Sequence, residues 1–248
     1  MTDKIKVGLI FGGNSSEYEV SIMSAHNIYE EIDTNKFDVY PMWITNDGYL
    51  ADDADSRKVL DNPQMEVANP HKVANISNII ELKDRPEIDV FFPIVHGNLG
   101  EDGCLQGLFR VLDKPFVGDD VLAAAVTMDK EMTKILAQRA GVPVAKWIAV
   151  KRFEYNDPDN EKLDYEYVAS QLGSDLFVKP SNQGSSVGVS HVTNEKEYKV
   201  ALAEAFKYVD MFLVEETDHG TVVETAVLGN YKPIVAGGGQ IINAKDSF

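Results

Sequence analysis

Lys179 and the small residues after it could form a clamp for phosphate groups. An apolar run from Leu176 leads into Lys179, Pro180 stops the run, and residues 181–188 read Ser-Asn-Gln-Gly-Ser-Ser-Val-Gly. Small residues in this pattern are typical of a hairpin turn. An ammonium at the end of a rigid strand, with backbone N–H groups folded over from such a turn, can bind nucleotide phosphates. Considered singly, Lys179 and Lys130 are each more typical of an ordinary solvated lysine, and it is their joint placement with the turn that favours a clamp.

Lys130 is the second cation to which the sequence points, because cations are scarce in this chain. There are 23 Lys and Arg against 40 Asp and Glu among 248 residues, a formal net charge of −17. That charge repels nucleic-acid phosphates and anionic lipid headgroups, except where a few cations gather in one cleft. We therefore expect no nucleic acid and no membrane among the partners.

The glycine-containing segment at residues 12–21 lies between a predicted strand and a predicted helix. Free N–H groups at the start of a helix, together with the helix dipole, favour a bound carboxylate or phosphate. The segment lacks the third glycine of the dinucleotide fingerprint, and Glu17 adds negative charge to the turn. A dinucleotide-dependent oxidoreductase is therefore disfavoured. A capping turn without a ligand is the alternative for Gly12 and Gly13.

His96 begins a loop that contains three glycines, Glu101 and Asp102. A carboxylate near a histidine can fix its tautomer and raise its pKa, which suits the ring to hydrogen-bond an anion. A metal centre is not favoured, because no other histidine lies nearby and oxygen-rich metal loops need more carboxylates. The alternative is a loop stabilised only by its own hydrogen bonds.

Three carboxylates lie near the ends of later strands. Glu215 and Glu216 end one predicted strand, and Glu224 lies on the next. Such carboxylates can accept hydrogen bonds from ribose hydroxyls or from an adenine amine. They can equally keep an edge strand soluble.

An α/β framework is expected to position these residues. Apolar runs at 5–11, 37–44 and 88–95 read as strands buried on both faces, which favours a parallel sheet with crossover helices. Residues 45–86 are polar with little periodicity, and residues 121–140 read as one helical stretch that Gly141 ends. Further strands are predicted at 116–117, 147–150, 176–179, 187–192, 211–215, 222–228 and 234–236, and further helices at 165–172 and 195–208. No closing element is predicted for residues 237–248.

Cysteine content and apolar run length indicate the compartment. The single cysteine, Cys104, excludes an internal disulfide framework and fits a reducing compartment, so a cytoplasmic location is expected. The longest apolar runs fall far short of the roughly 18 residues that cross a bilayer.

Four segments, in order and at domain-scale spacing, resemble the D-alanine:D-alanine ligases of the ATP-grasp superfamily and their D-alanine:D-lactate and D-alanine:D-serine relatives. They are residues 10–21, 96–103, 128–130 and 178–188. The resemblance implies an α/β fold. Its parts are an N-terminal Rossmann-like parallel-sheet domain at 1–118, a helical connection at 119–142, a central ATP-grasp α+β domain at 143–216 and the start of an incomplete C-terminal ATP-grasp domain at 217–248.

The same resemblance implies an ADP-forming carbon–nitrogen ligase that uses ATP and Mg²⁺. One D-alanine carboxylate is phosphorylated, and the amine of a second D-alanine, or the corresponding group of a D-lactate or D-serine variant, attacks the acyl phosphate. The product is the terminal dipeptide unit for peptidoglycan and thus for cell-wall biogenesis and cell shape. The family is commonly dimeric, so a homodimer is expected.

Residue roles carry over by position. Glu17 matches the residue that orients the first D-alanine through its ammonium group, with Ser185 as its hydrogen-bonded neighbour. His96 matches the residue near the first substrate's carboxylate, and Gly12 and Gly13 are counted with the substrate-binding residues.

The nucleotide-binding residues carry over in the same way. Lys130 and Lys179 match the lysines on the ATP phosphates, Ser186 their backbone contact, and Glu215 the acceptor at the adenine. Val222 stands where the family usually has a ribose-binding glutamate, and Glu224, on the same strand face, is expected to compensate.

Other departures concern the adenine and the metal. Asp218 stands where an apolar residue usually packs on the adenine. The family's magnesium ligands are expected beyond Phe248, so no metal ligand is assigned in this chain. A chain ending at Phe248 is expected to fold incompletely and to lack ligase activity by itself. The alternative function is a non-catalytic nucleotide-binding fragment or pseudoenzyme of the same superfamily.

Overall fold

The computed structural model describes residues 3–65, 67, 69–75, 88–155, 157, 159–207 and 209–242. The chain forms two compact units. The first contains Met1–Val144 and Pro180–Gly188, and the second contains Ala145–Lys179 and Val189–Phe248. The segment Pro180–Gly188, which carries the predicted hairpin turn, therefore packs with the first unit although its flanking strands belong to the second.

The first unit is built on a five-stranded sheet. Its strands are β1 (Ile5–Gly12), β2 (Phe37–Ile44), β3 (Tyr49–Ala51), β4 (Lys72–Asn75) and β5 (Val90–Pro93), in the order β4-β3-β2-β1-β5. β1 runs parallel to both β2 and β5, which confirms the predicted parallel sheet of three apolar strands. Phe116, in the predicted short strand at 116–117, makes a single parallel bridge to Phe91.

The helices of the first unit are α1 (Tyr18–Glu31), α2 (Asp53–Asp61), α3 (Cys104–Val111), α4 (Val121–Met128) and α5 (Lys130–Arg139). Residues 121–140 are mainly helical as predicted, but they form two helices, α4 and α5, rather than one continuous stretch. Asp129 adopts an extended conformation between them, and its carboxylate accepts a hydrogen bond from the Met132 N–H, which caps the start of α5.

Residues 45–86 contain more structure than their weak periodicity predicts. β3 pairs antiparallel with β2, β4 pairs antiparallel with β3, and α2 lies between β3 and β4 in the chain. Asp52 caps α2 by accepting a hydrogen bond from the Asp55 N–H. The inward face of this helix includes Ser56, whose hydroxyl accepts a hydrogen bond from the Trp43 N–H, so an apolar pattern alone does not reveal it. Residues 76–87 lie outside the described residues.

The core of the first unit lies on both faces of the sheet. Successive residues of β1 point to opposite faces, so Ile10 joins one apolar cluster while Leu9 and Phe11 join the other. In the cluster of Ile10, the Phe109 ring stacks on Phe91 with centroids 5.0 Å apart. Burial on both faces explains why β1 reads as a continuous apolar run.

The second unit contains a four-stranded sheet covered by helices. Its elements are β6 (Trp147–Lys151), α6 (Arg152–Tyr155), a 3-10 turn (Glu161–Leu163), α7 (Tyr165–Leu172), β7 (Leu176–Pro180), β8 (Ser190–Val192), α8 (Glu195–Ala205) and β9 (Met211–Glu216), with strand order β6-β9-β7-β8. The core combines Val150, Val178 and Val214 with Tyr198 of α8. Over the residues that the structure describes, no helix is long and apolar enough to span a bilayer.

The predicted hairpin is present, with a later start for its returning strand. β7 and β8 pair antiparallel from Leu176 opposite Val192 to Val178 opposite Ser190. The strand predicted at 187–192 therefore begins at Ser190, because the small residues before it remain in the turn.

The last described residues form two short ribbons. β10 (Val223–Glu224) and β11 (Val227–Leu228) replace the single strand predicted at 222–228, and β11 pairs antiparallel with β12 (Ile234–Val235). β10 pairs with β13 (Gly239–Gln240), a strand in the segment for which no element was predicted.

We predict that Phe109→Ala destabilises the first unit by about 3–5 kcal/mol, because it removes a fully buried ring and leaves a cavity. Val111→Ala is the matched control, since Val111 lies on the same helix and is 84% exposed. Its effect should stay within about 0.5 kcal/mol. Urea unfolding measures both changes, and equal losses in the two variants would contradict this packing.

Candidate active site

The turn after β1 is shaped by two glycines with positive φ. Gly12 has φ +87°, and a Cβ there would lie 2.1 Å from the Ile44 carbonyl oxygen. The Gly12 N–H donates to Ser21 Oγ at 2.8 Å, and the Gly13 N–H donates to the Ile44 carbonyl at 2.9 Å. Both N–H groups are thus used inside the protein. The positive φ angles of these glycines turn the chain from β1 toward α1.

Glu17 stands at the start of α1 with its carboxylate enclosed. Ser185 Oγ donates a hydrogen bond to Glu17 Oε1 at 2.5 Å. Glu17 Oε2 is buried and has no hydrogen-bond partner among the described residues. A Cβ at Gly184 would lie 2.5 Å from this oxygen, and a Cβ at Gly97 would lie 2.8 Å from it. An enclosed carboxylate oxygen without a donor is costly, so it is suited to receive a cationic donor from a ligand.

The segment that encloses Glu17 has an unusual backbone. Ser185 and Ser186 both have positive φ, 46° and 58°, a conformation that non-glycine residues rarely adopt. The Val187 N–H donates to the Gly184 carbonyl and closes the turn. Strain of this kind persists only where surrounding contacts hold it, and here the Ser185 hydroxyl contact is one of them.

Lys130 contacts the glycine-serine segment at residues 181–188 through two hydrogen bonds. Its Nζ donates to the Gln183 carbonyl at 2.6 Å, and its backbone N–H donates to the Ser181 carbonyl at 2.9 Å. The structure therefore brings three predicted site residues, Glu17, Ser185 and Lys130, to one glycine-serine segment.

His96 lies at the centre of a hydrogen-bond chain. Its Nε2 is 3.0 Å from Ser24 Oγ and its Nδ1 is 3.3 Å from Glu101 Oε1. The other oxygen of Glu101 accepts the Gly97 N–H. The hydrogen bond to Glu101 raises the pKa of His96, and the same contact lowers the pKa of Glu101. The sequence did not indicate Ser24, because no local pattern shows that this α1 residue meets His96, which is 72 residues away.

A cavity of about 390 Å³ adjoins this histidine. Its polar lining includes His96, Glu101, Gln106 and Thr127, and its apolar lining includes Val95. Gln106 Nε2 donates to the Gly100 carbonyl, and Gln106 Oε1 is buried with no partner among the described residues. The cavity therefore combines an apolar wall with hydrogen-bonding groups, as small-molecule sites do.

In the second unit, Lys179 and Glu215 form an ion pair. Lys179 Nζ lies 2.7 Å from Glu215 Oε2 and 5.3 Å from the centroid of the Phe177 ring. The side chain of Glu215 is only 7% exposed and that of Lys179 is 28% exposed. Lys179, which is predicted to bind phosphate, and Glu215, which is predicted to accept a hydrogen bond from adenine, are therefore neighbours on one face of the sheet.

The remaining predicted nucleotide residues are more exposed. Glu224 lies on β10 and Val222 just before it, both open to solvent. Asp218 Oδ1 accepts the Gly220 N–H and so stabilises the turn that leads to them. Ser186 is also exposed. Within the described part of the chain, no group of three or more His, Cys, Asp or Glu side chains is arranged to hold a metal ion.

A unit built on a parallel sheet, a second unit with a four-stranded sheet, and a glycine-serine hairpin turn together form the plan of an ATP-grasp ligase. Comparison with protein families agrees with that class. Residues 6–119 match the family described as D-ala D-ala ligase N-terminus, and residues 136–248 match that described as D-ala D-ala ligase C-terminus. The chain belongs to the D-alanine–D-alanine ligase family and is an enzyme of that type.

Individual relatives support the same assignment. The chain is 97% identical to a D-alanine–D-alanine ligase of Lactobacillus johnsonii and 96% identical to one of Lactobacillus gasseri, over all 248 residues and 69% of each relative. It is similar to the structure of the ligase from Coxiella burnetii, with a TM-score of 0.79 and 32% identity, over 96% of this chain and 71% of that one. It is also similar to the VanG D-Ala:D-Ser ligase from Enterococcus faecalis, with a TM-score of 0.76 and 33% identity, over 96% and 70% of the two chains. These relatives do not favour the non-catalytic alternative.

We predict that Glu101→Gln lowers the pKa of His96 toward the usual value of about 6.5. The pKa of His96 is higher in the folded protein than in the unfolded chain. The stability that the His96–Glu101 contact contributes is therefore fully present below the unfolded-state pKa, and it is lost as the pH rises through the folded-state pKa. NMR titration of the ring measures the change. Asp102→Asn is the control, because the oxygens of Asp102 accept backbone N–H groups of Leu99 and Cys104. An unchanged His96 pKa in Glu101→Gln would contradict this cause.

Proposed function

We propose that this protein joins two D-amino acids at the expense of ATP. D-alanine is the first substrate, and D-alanine, D-lactate or D-serine is the second. ATP transfers its γ-phosphoryl group to the carboxylate of the first substrate, giving an acyl phosphate and ADP. The amine or hydroxyl of the second substrate attacks the acyl carbon, and inorganic phosphate leaves. The product serves peptidoglycan precursor synthesis.

The observation that carries this proposal is the unpartnered, buried Oε2 of Glu17. A substrate ammonium is a donor of the required charge, and charge-assisted hydrogen bonds are about twice as strong as neutral ones. Ser185 occupies Oε1 and so leaves only Oε2 for the ligand. Gly97 and Gly184 allow their segments to approach this oxygen closely, because a Cβ at either position would lie within 2.8 Å of it.

His96 is suited to the opposite end of the first substrate. Its raised pKa favours the imidazolium form, and an imidazolium attracts a carboxylate. Ser24 and Glu101 hold the two ring nitrogens, so the ring keeps one orientation. Ammonium recognition by Glu17 and carboxylate recognition by His96 together would select an amino acid.

The lysines and the hairpin are assigned to ATP. Lys130 and Lys179 would bind the phosphates with the Ser186 N–H, Glu215 would accept from the adenine amine, and Glu224 would contact the ribose. Both ammonium groups already contact protein acceptors, so phosphate oxygens would share or replace the Gln183 carbonyl and the Glu215 carboxylate. The glycine-serine segment would also keep water from the acyl phosphate.

Magnesium is expected from the family, but the described residues contain no set of ligands that fits it. No step is therefore assigned to the metal. The proposal includes a cytoplasmic location, since the single cysteine fits a reducing compartment, and a homodimer, as is common in the family.

We predict that Glu17→Gln raises the KM for D-alanine by about tenfold or more, because a hydrogen bond to a charged group is worth roughly 1.5–3 kcal/mol. ATP affinity should not change. Phosphate release by the full-length ligase measures the KM, and calorimetry measures ATP binding. Glu19→Gln is the control, because Glu19 is exposed on the same helix. If D-alanine and ATP binding weaken together, Glu17 has a structural role only.

We predict that Lys179→Ala weakens ATP binding by about tenfold or more, since it leaves phosphate charge uncompensated. Lys179→Arg keeps the charge and should lose less. Lys199→Ala, which removes an exposed lysine of α8, should have no effect. Calorimetry with ATP measures all three affinities, and unchanged affinity in Lys179→Ala would exclude this lysine from the phosphate site.

A further inference from the structure

The carboxylate of Asp175 is the centre of a hydrogen-bond cluster that the proposed reaction does not use. Oδ1 lies 2.5 Å from His191 Nε2 and accepts the Thr217 hydroxyl at 2.8 Å, while Oδ2 lies 3.1 Å from His219 Nε2. The Thr217 N–H also donates to the Asp175 carbonyl at 3.1 Å. One residue therefore has four polar contacts, and all of them lie within the second unit.

The cluster joins three neighbouring strands at one end of the sheet. Asp175 directly precedes β7, His191 lies on β8, and Thr217 directly follows β9. These strands are adjacent in the order β9-β7-β8. Residues 217–220 after β9 are partly or fully exposed, so apolar burial does little to fix them. The polar contacts to Asp175 are the interactions that hold the start of this segment.

A series of contacts connects His191 to Lys179 and Glu215, the residues proposed to bind the nucleotide. His191 is paired with Phe177 in the sheet, and their rings lie 4.9 Å apart. The Phe177 ring in turn lies under Lys179 Nζ, which binds Glu215. Phe177 and Lys179 are two residues apart on β7, so they share one face of the sheet, and Asp175 lies one residue before the strand begins.

We propose that Asp175, His191 and His219 are positioning residues for the nucleotide site, holding Phe177 and the end of β9 so that Lys179 and Glu215 keep the geometry that binds ATP. This inference rests on the proposed function, which assigns Lys179 and Glu215 to ATP. Hydrogen bonding from His191 also lowers the pKa of Asp175, so its carboxylate stays charged and remains the acceptor that the cluster needs. Asp175 itself touches no nucleotide in this account.

The test compares variants that differ in hydrogen-bond donors. The His219 side chain is 80% exposed, so His219→Leu removes its contact without disturbing a core. His219→Gln keeps an N–H donor. Asp175→Asn removes the charge but keeps the shape. Asp210→Asn is the matched control, because Asp210 pairs with Arg152 in the same unit, outside the Asp175 cluster.

We expect calorimetry to show ATP binding weakened about fivefold in His219→Leu and more strongly in Asp175→Asn, because residues that do not touch a ligand can modulate its binding through the contacts they make. Wild-type affinity should be restored in His219→Gln and retained in Asp210→Asn. D-alanine affinity should be unchanged throughout, since Glu17 and His96 belong to the first unit. Amide hydrogen exchange at Thr217 should be faster in His219→Leu.

The outcomes separate this inference from the proposed function. Wild-type protein that binds no ATP would overturn the proposed function and this inference with it. If the wild-type protein binds ATP and both His219→Leu and Asp175→Asn bind it with the same affinity, the positioning role alone is overturned. A lowered melting temperature in Asp175→Asn with unchanged ATP affinity would mean that the cluster is only structural, and would also overturn it.

Discussion

The enclosed carboxylate of Glu17 is the constraint on which the rest of the structure depends. Glu17 is half-buried and its Oε2 is fully buried, and burying a charged group is costly unless the group is paired. Ser185 satisfies one oxygen, and the other has no partner among the described residues. The framework serves this arrangement. A strand buried on both faces fixes Gly12, the glycine turn directs the chain to Glu17, and Gly97 and Gly184 leave the space that a side chain would fill.

The two lysines proposed to bind the ATP phosphates each donate a hydrogen bond to a protein acceptor. Lys130 Nζ binds the Gln183 carbonyl, and Lys179 Nζ binds Glu215. A lysine side chain fixed in this way loses less conformational entropy on binding phosphate than a free one. For Lys179 the pairing has a second effect. The Glu215 side chain is almost fully buried, and this ammonium contributes to compensating its charge.

The sequence predicts well the features that depend on local pattern. The apolar runs of β1, β2 and β5 identify a parallel sheet, and Leu176 to Lys179 with the small residues after it identify the hairpin. It does not predict contacts between distant residues. Nothing local indicates that Ser24 meets His96, or that Asp175 joins His191 to His219. α2 was missed because a polar residue, Ser56, lies on its inward face. The proposed roles of the site residues stay predictions, because similarity to known ligases identifies the family and not each contact.

The break between α4 and α5, which the sequence pattern of residues 121–140 does not reveal, has a direct consequence for the site. In one continuous helix, the Lys130 N–H would donate to the Val126 carbonyl, four residues earlier. Because Asp129 is extended, that N–H is free to donate to the Ser181 carbonyl, and the Thr133 hydroxyl donates to the Val126 carbonyl instead. Lys130 can then contact the glycine-serine segment through both its backbone and its ammonium group. The interruption at Asp129 therefore lets α5 contact the segment that encloses Glu17.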